Sequence, residues 1–158
     1  MQLPSSITTR LQYQHKSLLE LIDGLSDEEI RRPLNPGKWS IFEQIVHLET
    51  YQHLFVNRIR MMLDHDNPTF ERYTAEADPL FHDHLTLSSR EVIQDLMSTR
   101  KELANGILSF NETDLSKTGV HPVYGAFNLV SWVNFFLLHE AHHLFEIFKM
   151  GAIQMKQK

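Results

Sequence analysis

Leu129-Val130-Ser131-Trp132-Val133-Asn134-Phe135-Phe136-Leu137-Leu138-His139-Glu140-Ala141-His142-His143 is apolar on almost every side for ten residues and then turns polar without a helix-breaking residue. A helix that is apolar nearly all round belongs in the middle of a bundle. The run is too short, and too interrupted by Ser131 and Asn134, to span a bilayer, which needs about 20 apolar residues. The pattern predicts a helix from Phe127 or Asn128 to Met150, with Gly151 as its C-terminal cap. Within it, His139 and His143 are one turn apart, so both imidazoles leave the same face and are placed to grip one ion. Burying such groups beside Phe135, Phe136, Leu144 and Phe145 is costly unless something compensates them. A metal ion does so directly.

Working outward from this helix, three more helical segments provide the partners that a bundle needs. The first is expected over Ser5 to Asp23, with Leu11, His15, Leu18, Leu19 and Ile22 at three- and four-residue spacing. Gly24 ends it, Ser26-Asp27-Glu28-Glu29 starts a short extra turn, and Pro33, Pro36 and Gly37 enforce a loop. The second begins at Ser40, which with Glu43 forms a capping box, and carries Ile41, Ile45, Leu48, Phe55, Ile59 and Met62 on one stripe to about Leu63. Asp64 to Thr86 has no sustained period and reads as a crossover between bundle helices that are not close neighbours. The third helix opens on a second capping box, Ser88 with Glu91, followed by Val92, Leu96, Leu103 and Ile107. Asn111 to Ala126 is a second connector, with Pro122 and Gly125 as breakers and no competing strand pattern. The expected fold class is all-α: a four-helix bundle with a long crossover between helices 2 and 3, in one domain over residues 1–158.

Composition narrows the chemistry. With 42% hydrophobic residues and 22% charged residues in 158, the chain has the makings of one ordinary core. The net charge is -5, and the pairs Arg31-Arg32 and Arg58/Arg60 fall on expected helix surfaces, so nucleic acid is not an expected partner. The chain has no cysteine, which excludes disulfides, cysteine-zinc sites and a protein thiol nucleophile. The Met1–Ser6 stretch lacks the basic-then-apolar pattern of a signal peptide, and a cytoplasmic location away from membranes is the expectation.

Ten histidines have to be sorted by position. His139-Glu140-Ala141-His142-His143 satisfies the H-E-x-x-H pattern of zinc peptidases, which chance would supply roughly 0.05 times in a chain of this composition. The extended form of that motif would ask for glycine at 146 and histidine at 149, where this chain has Glu146 and Lys149. A third ligand has to come from upstream. His47, within Ile45-Val46-His47-Leu48, is the strongest candidate. Alone it reads as a core-edge histidine bonded to a carboxylate or carbonyl; beside the His139/His143 pair it reads as the third ligand. His142 is the alternative to His143, and otherwise makes a hydrogen bond behind the ligands or at an interface. His15 either faces the cavity or is a satisfied core histidine. His53 points elsewhere, His65, His82 and His84 belong to solvent in the crossover, and His121 lines a pocket mouth. Glu140 is the candidate general base of a hydrolase, but it leaves the helix about 100° from His139, which equally fits a structural hydrogen bond. Glu43 and Glu146 are placed to orient imidazoles, although the capping box already claims Glu43.

Trp39-Ser40-Ile41 leading into the helix of His47, Tyr124-Gly125, and Phe136-Leu137-Leu138-His139-Glu140-Ala141-His142-His143 together resemble the DinB-like superfamily, in order and spacing over essentially the whole chain. The resemblance implies a four-helix bundle with a long crossover, often a homodimer. It also implies a metal held by one histidine of the second helix and two of the last, here His47, His139 and His143. Members of that family include metal-dependent transferases and isomerases that use low-molecular-weight thiols. The resulting expectation is one divalent transition metal, zinc or nickel, and S-transfer of a small thiol to a small electrophile. Two alternatives stand beside it: a metal-dependent hydrolase with Glu140 as base, and a metal-binding module without catalysis.

Overall fold

The computed structural model describes residues 2–156. Its helices start where the sequence supplies oxygen acceptors for orphan backbone N–H groups. Ser40 Oγ accepts from the Glu43 N–H at 3.2 Å, and Glu43 Oε2 accepts from the Ser40 N–H at 2.6 Å. Reciprocal pairs of this kind, Ser26 with Glu29, Ser88 with Glu91 and Asn111 with Asp114, open three further helices. The helices are α1 (Ser5–Tyr13), α2 (Ser17–Leu21), α3 (Asp27–Arg31), α4 (Ile41–Asp64), α5 (Pro79–His84), α6 (Ser89–Leu108), α7 (Glu112–Ser116) and α8 (Leu129–Lys156). Among the described residues no helix is long and apolar enough to cross a membrane.

Contacts along the helices give the bundle its directions. Gln52 of α4 bonds the Leu96 carbonyl of α6, and further along Leu63 faces Phe110, so α4 and α6 run parallel. Gln44 meets His143, and Phe55 stacks on Phe136, so α8 runs antiparallel to α4. Arg10 reaches Asn134, and the Leu21 carbonyl approaches Gly151, so α1–α2 runs parallel to α8. The order is up, down, down, up. The long crossover is therefore required, although not for the reason the sequence suggested. α4 and α6 are close neighbours, and because they are parallel the chain must travel back along the bundle to begin the second.

Four other expectations are corrected. The first helix is not continuous, because a 3₁₀ turn at Gln14–Lys16 separates α1 from α2; Ser17 Oγ donates to the Gln14 carbonyl at 2.6 Å and supports that tighter turn. Gly151 is not a cap, since α8 continues to Lys156. Its lack of a side chain instead admits the Leu21 carbonyl, 3.2 Å from where a Cβ would stand. The connector before α8 contains α7 and a hairpin, β1 (Thr118–His121) with β2 (Gly125–Asn128), in the register Thr118↔Asn128 to His121↔Gly125. Its four-residue strands are too short to leave a legible alternation in sequence. Finally, α8 is not enclosed on all sides: Leu138, Phe145 and Phe148 are each more than half exposed.

The core is divided. One apolar cluster gathers Leu11, Tyr51, Phe55, Leu103, Trp132 and Phe136, and another gathers Leu18, Ile45, Val46, Leu96, Leu144 and Ile147. On each helix the switch between clusters falls at or beside polar residues: His15; His47, Glu49 and Thr50; Arg100; and His139 to His143. The hairpin closes one end of this arrangement. Val120 bonds the crossover through Pro68 and Phe70, at 2.8 and 3.0 Å, and Trp132 Nε1 donates to the Gly119 carbonyl at 3.1 Å.

A Cβ on Gly119 would stand 2.6 Å from Phe70 Cε2 and 2.9 Å from Met62, both buried side chains. Gly119→Ala is therefore expected to destabilise by about 1–3 kcal/mol through overpacking, read as a fall in the denaturation midpoint. An unchanged midpoint would show that the hairpin is not clamped on the bundle.

Candidate metal centre

His47 is placed by the cap at Ser40, which fixes where α4 starts and hence which face its second turn presents. His139 and His143 descend from the middle of α8. The structure brings all three together: His139 Nε2 lies 3.1 Å from His47 Nε2 and 3.1 Å from His143 Nε2. All three ligand atoms lie within 4.8 Å of one another. Three nitrogens at 2.0–2.1 Å from one tetrahedral ion would be spaced by about 3.3 Å. A single Nε2 hydrogen cannot satisfy both contacts of His139, so hydrogen bonding alone does not explain the convergence.

The protonation chemistry fits a cation. Burial pushes the His47 imidazole down to about 3, His139 to about 2 and His143 to about 4, each with a neighbouring imidazole adding to the effect. All three are neutral at pH 7 and offer lone pairs without first losing a proton. His143 Nδ1 is 2.6 Å from Gln44 Oε1 and donates to it, leaving Nε2 as the acceptor. His47 Nδ1 and His139 Nδ1 are buried with no hydrogen-bond partner among the described residues. Aromatic rings hold the imidazoles in place: Trp39 packs 5.1 Å from His47, Tyr73 stacks 5.9 Å from it, and Tyr51 stacks 4.0 Å from His139. The donor set suits one divalent transition metal, with at least one coordination position left for a small molecule.

That position has somewhere to open. A cleft of about 740 Å³ is lined by His47, His139, Tyr51, Tyr73, Arg58 and His121, among others. The crossover forms one of its walls. Phe81 of α5 is buried in the second apolar cluster, and Tyr73 donates to the Asp78 carboxylate at 3.0 Å.

Glu140 goes elsewhere. It is buried in an ion pair with Arg100 of α6, whose Nε donates to Gln52 Oε1 at 2.8 Å. Burial raises its pKa while Arg100 opposes the shift. Glu140 is not among the residues whose ligand atoms converge with the three histidines. The remaining histidines also find their places. His142 is exposed, and His15 is buried on the side of Arg100, with burial holding it down to about 4. His121 lines the cleft, its Nδ1 accepting from the Val123 and Tyr124 N–H groups at 3.1 and 3.2 Å. His53 and His84 both lie 2.6 Å from the fully buried Glu49 carboxylate, so His84 is no solvent residue. Glu43 keeps its cap, and Glu146 pairs with Lys149.

Sequence reasoning missed Gln44 and Arg58. Gln44, three residues before His47, carried a usable signal, since that spacing shares a helix face. Arg58 was placed on a helix surface but is only 6% exposed. The apolar stripe did not reveal it.

The depressed imidazoles make pH a test. Below pH 6.5 the unfolded chain takes up protons that the folded imidazoles refuse. Metal-free protein should therefore lose stability as pH falls from about 6.5 towards 4, by up to about 1.4 kcal/mol per imidazole per unit. Thermal denaturation with a chelator, from pH 7.5 downward, should show the midpoint falling through this window and falling less steeply in His47→Ala. A midpoint independent of pH there would contradict neutral, buried imidazoles.

Comparison with known proteins places the arrangement. A family model described as the DinB superfamily matches residues 10–147. The "Uncharacterized protein YuaE" of Bacillus subtilis (strain 168) is 25% identical over 138 residues, covering 78% of this chain and 83% of the relative. A "Putative metal-dependent hydrolase" of Oceanobacillus iheyensis is 25% identical over 128 residues, covering 81% of this chain and 73% of the relative. YfiT from Bacillus subtilis, a solved structure described as "a probable metal-dependent hydrolase with an unusual four-helix bundle topology", superposes with a TM-score of 0.79 at 15% identity. That match covers 93% of this chain and 85% of YfiT, and it shares the bundle fold. With the family model spanning most of the chain and the fold agreeing, this protein belongs to the DinB superfamily.

Proposed function

We propose that this chain is a metal-dependent enzyme in which His47, His139 and His143 hold one zinc or nickel ion, and in which a low-molecular-weight thiol is transferred to a small electrophile. The observation that carries this reading is the convergence of three neutral imidazoles, two of which, His47 and His139, line an open cleft, in a chain with no thiol of its own. A divalent ion there supplies Lewis acidity, favouring the thiolate over the thiol at neutral pH. The S–H bond breaks and its proton leaves to solvent; the sulfur forms a bond to the electrophilic carbon, and the leaving group departs with its electron pair. Tyr51 and Tyr73 shield the imidazoles and keep the approach narrow, while Gln44 holds His143 in the ligating tautomer. A cleft bordered by His47 and His139 speaks against a sealed module in which a metal only completes the core.

Hydrolysis is a second reading, favoured by the description of the Oceanobacillus relative and of YfiT as metal-dependent hydrolases. In this chain its candidate base, Glu140, is committed to Arg100. The two readings separate on one variant. Metal-loaded protein is incubated with glutathione, bacillithiol or mycothiol and a small aryl halide or epoxide. Transfer predicts thiol consumption and a thioether product above a His47→Ala control, persisting in Glu140→Gln. Hydrolysis predicts turnover of an ester or amide that Glu140→Gln abolishes while metal stays bound. No thiol consumption above the control would defeat the transfer reading.

We also propose a cytoplasmic homodimer in which a second copy covers the exposed stripe of Leu138, Phe145 and Phe148 on α8. Light scattering after size exclusion should give twice the chain mass for the wild type and a monomer for Phe145→Glu. A monomeric wild type would refute the assembly.

A further inference from the structure

Two arginines are buried in this bundle, and they are treated differently. Arg100, 2% exposed, is neutralised by Glu140. Arg58, 6% exposed, has no carboxylate within ion-pair distance among the described residues. Its guanidinium lies over the edge-to-face pair of Phe70 and Trp132, 5.3 and 5.4 Å from their ring centres. One nitrogen donates to the Glu71 carbonyl at 3.0 Å, and the Tyr51 hydroxyl is within hydrogen-bonding reach. Five N–H donors are available on a guanidinium, more than the one backbone bond uses, and Arg58 lines the cleft. A buried cation without a counter-charge is costly. On a cleft wall, that cost is recovered when an anion arrives.

Arg58 is also aligned with the metal centre. It follows His47 by eleven residues, three helical turns, so the two share a face of α4. Side chains on a helix lean toward its N-terminus, so Arg58 reaches back toward His47. Tyr51 stands between them, touching Arg58 through its hydroxyl and stacking on His139 through its ring. The guanidinium is therefore one tyrosine ring away from the ligand set. Tyr73 and Phe135 line the same cleft.

We propose that Arg58 is the anchor for a small organic acid. It takes the carboxylate in a bidentate grip, the apolar body lies along the aromatic wall, and the far end meets the three histidines. Only that last element rests on the metal-dependent reading; the anion site stands on Arg58 alone.

The test uses phenylacetate and its neutral isostere phenylacetamide, titrated into the full chain and read by tryptophan fluorescence, since Trp39 lines the cleft and Trp132 packs on Arg58, and by calorimetry. Phenylacetate should bind about ten- to a hundredfold more tightly than the amide. Arg58→Met should level the two, and Arg58→Lys should keep part of the preference. The preference should persist in chelator-treated protein, which separates a carboxylate held by Arg58 from one held by a metal. If Arg58→Met does not fold, Arg58→Lys and Arg58→Gln on the chelator-treated chain decide. Equal affinities, no binding of either compound, a preference that survives the neutral Arg58 variants, or one that disappears with the chelator would each overturn the proposal. Inorganic phosphate binding as tightly as phenylacetate would overturn the organic-acid assignment. A protein that binds no metal but still prefers the acid would fail the enzyme reading and leave the anion site standing.

Discussion

One polar layer divides the interior of this bundle, and the rest of the structure is arranged around it. His15, His47, Gln52, Arg100, His139, Glu140 and His143 lie where the two apolar clusters meet. Polar groups buried at such a level must be compensated. Half of the layer does so with protein groups, through the Arg100–Glu140 ion pair and the bond from Arg100 to Gln52. The other half, the three imidazoles, has one internal orienting bond, from His143 to Gln44. It is this half that opens on the cleft.

The division explains why one short motif holds two unlike residues. His139 and Glu140 are adjacent in sequence, but a helix separates adjacent side chains by about 100°. One therefore faces the cleft and the other the buried side of the bundle. The H-E-x-x-H pattern suggests a peptidase base next to its ligands; here the same spacing gives two ligands and a structural carboxylate. Its role is to neutralise Arg100, which leaves Arg58 as the buried arginine without a carboxylate among the described residues.

Much of this was legible from residues alone. The capping boxes at Ser40 and Ser88 marked the starts of two long helices, because a cap is a local device with a fixed spacing. His139 and His143 were legible as a pair for the same reason. The meeting of His47 with that pair depends on antiparallel packing of helices separated by most of the chain; an apolar setting and the missing third ligand pointed to it, and the family resemblance implied it as well. The parallel course of α4 and α6, the hairpin and the burial of Arg58 left no local pattern. Each is decided by tertiary packing: by the length of the crossover, by Gly119 fitting against Phe70, and by an arginine head lying over two aromatic rings. Gly151 misled because a glycine near a helix end reads as a cap, whereas here it admits the Leu21 carbonyl.

The account turns on whether three imidazoles from two helices bind one ion. Elemental mass spectrometry on protein purified without added metal, alongside His47→Ala, His139→Ala and His143→Ala, tests this most directly. Close to one divalent transition metal per wild-type chain is expected, and near none in any folded single variant. A wild-type chain that stays metal-free even after incubation with zinc and nickel, or a variant that keeps its ion, would contradict it.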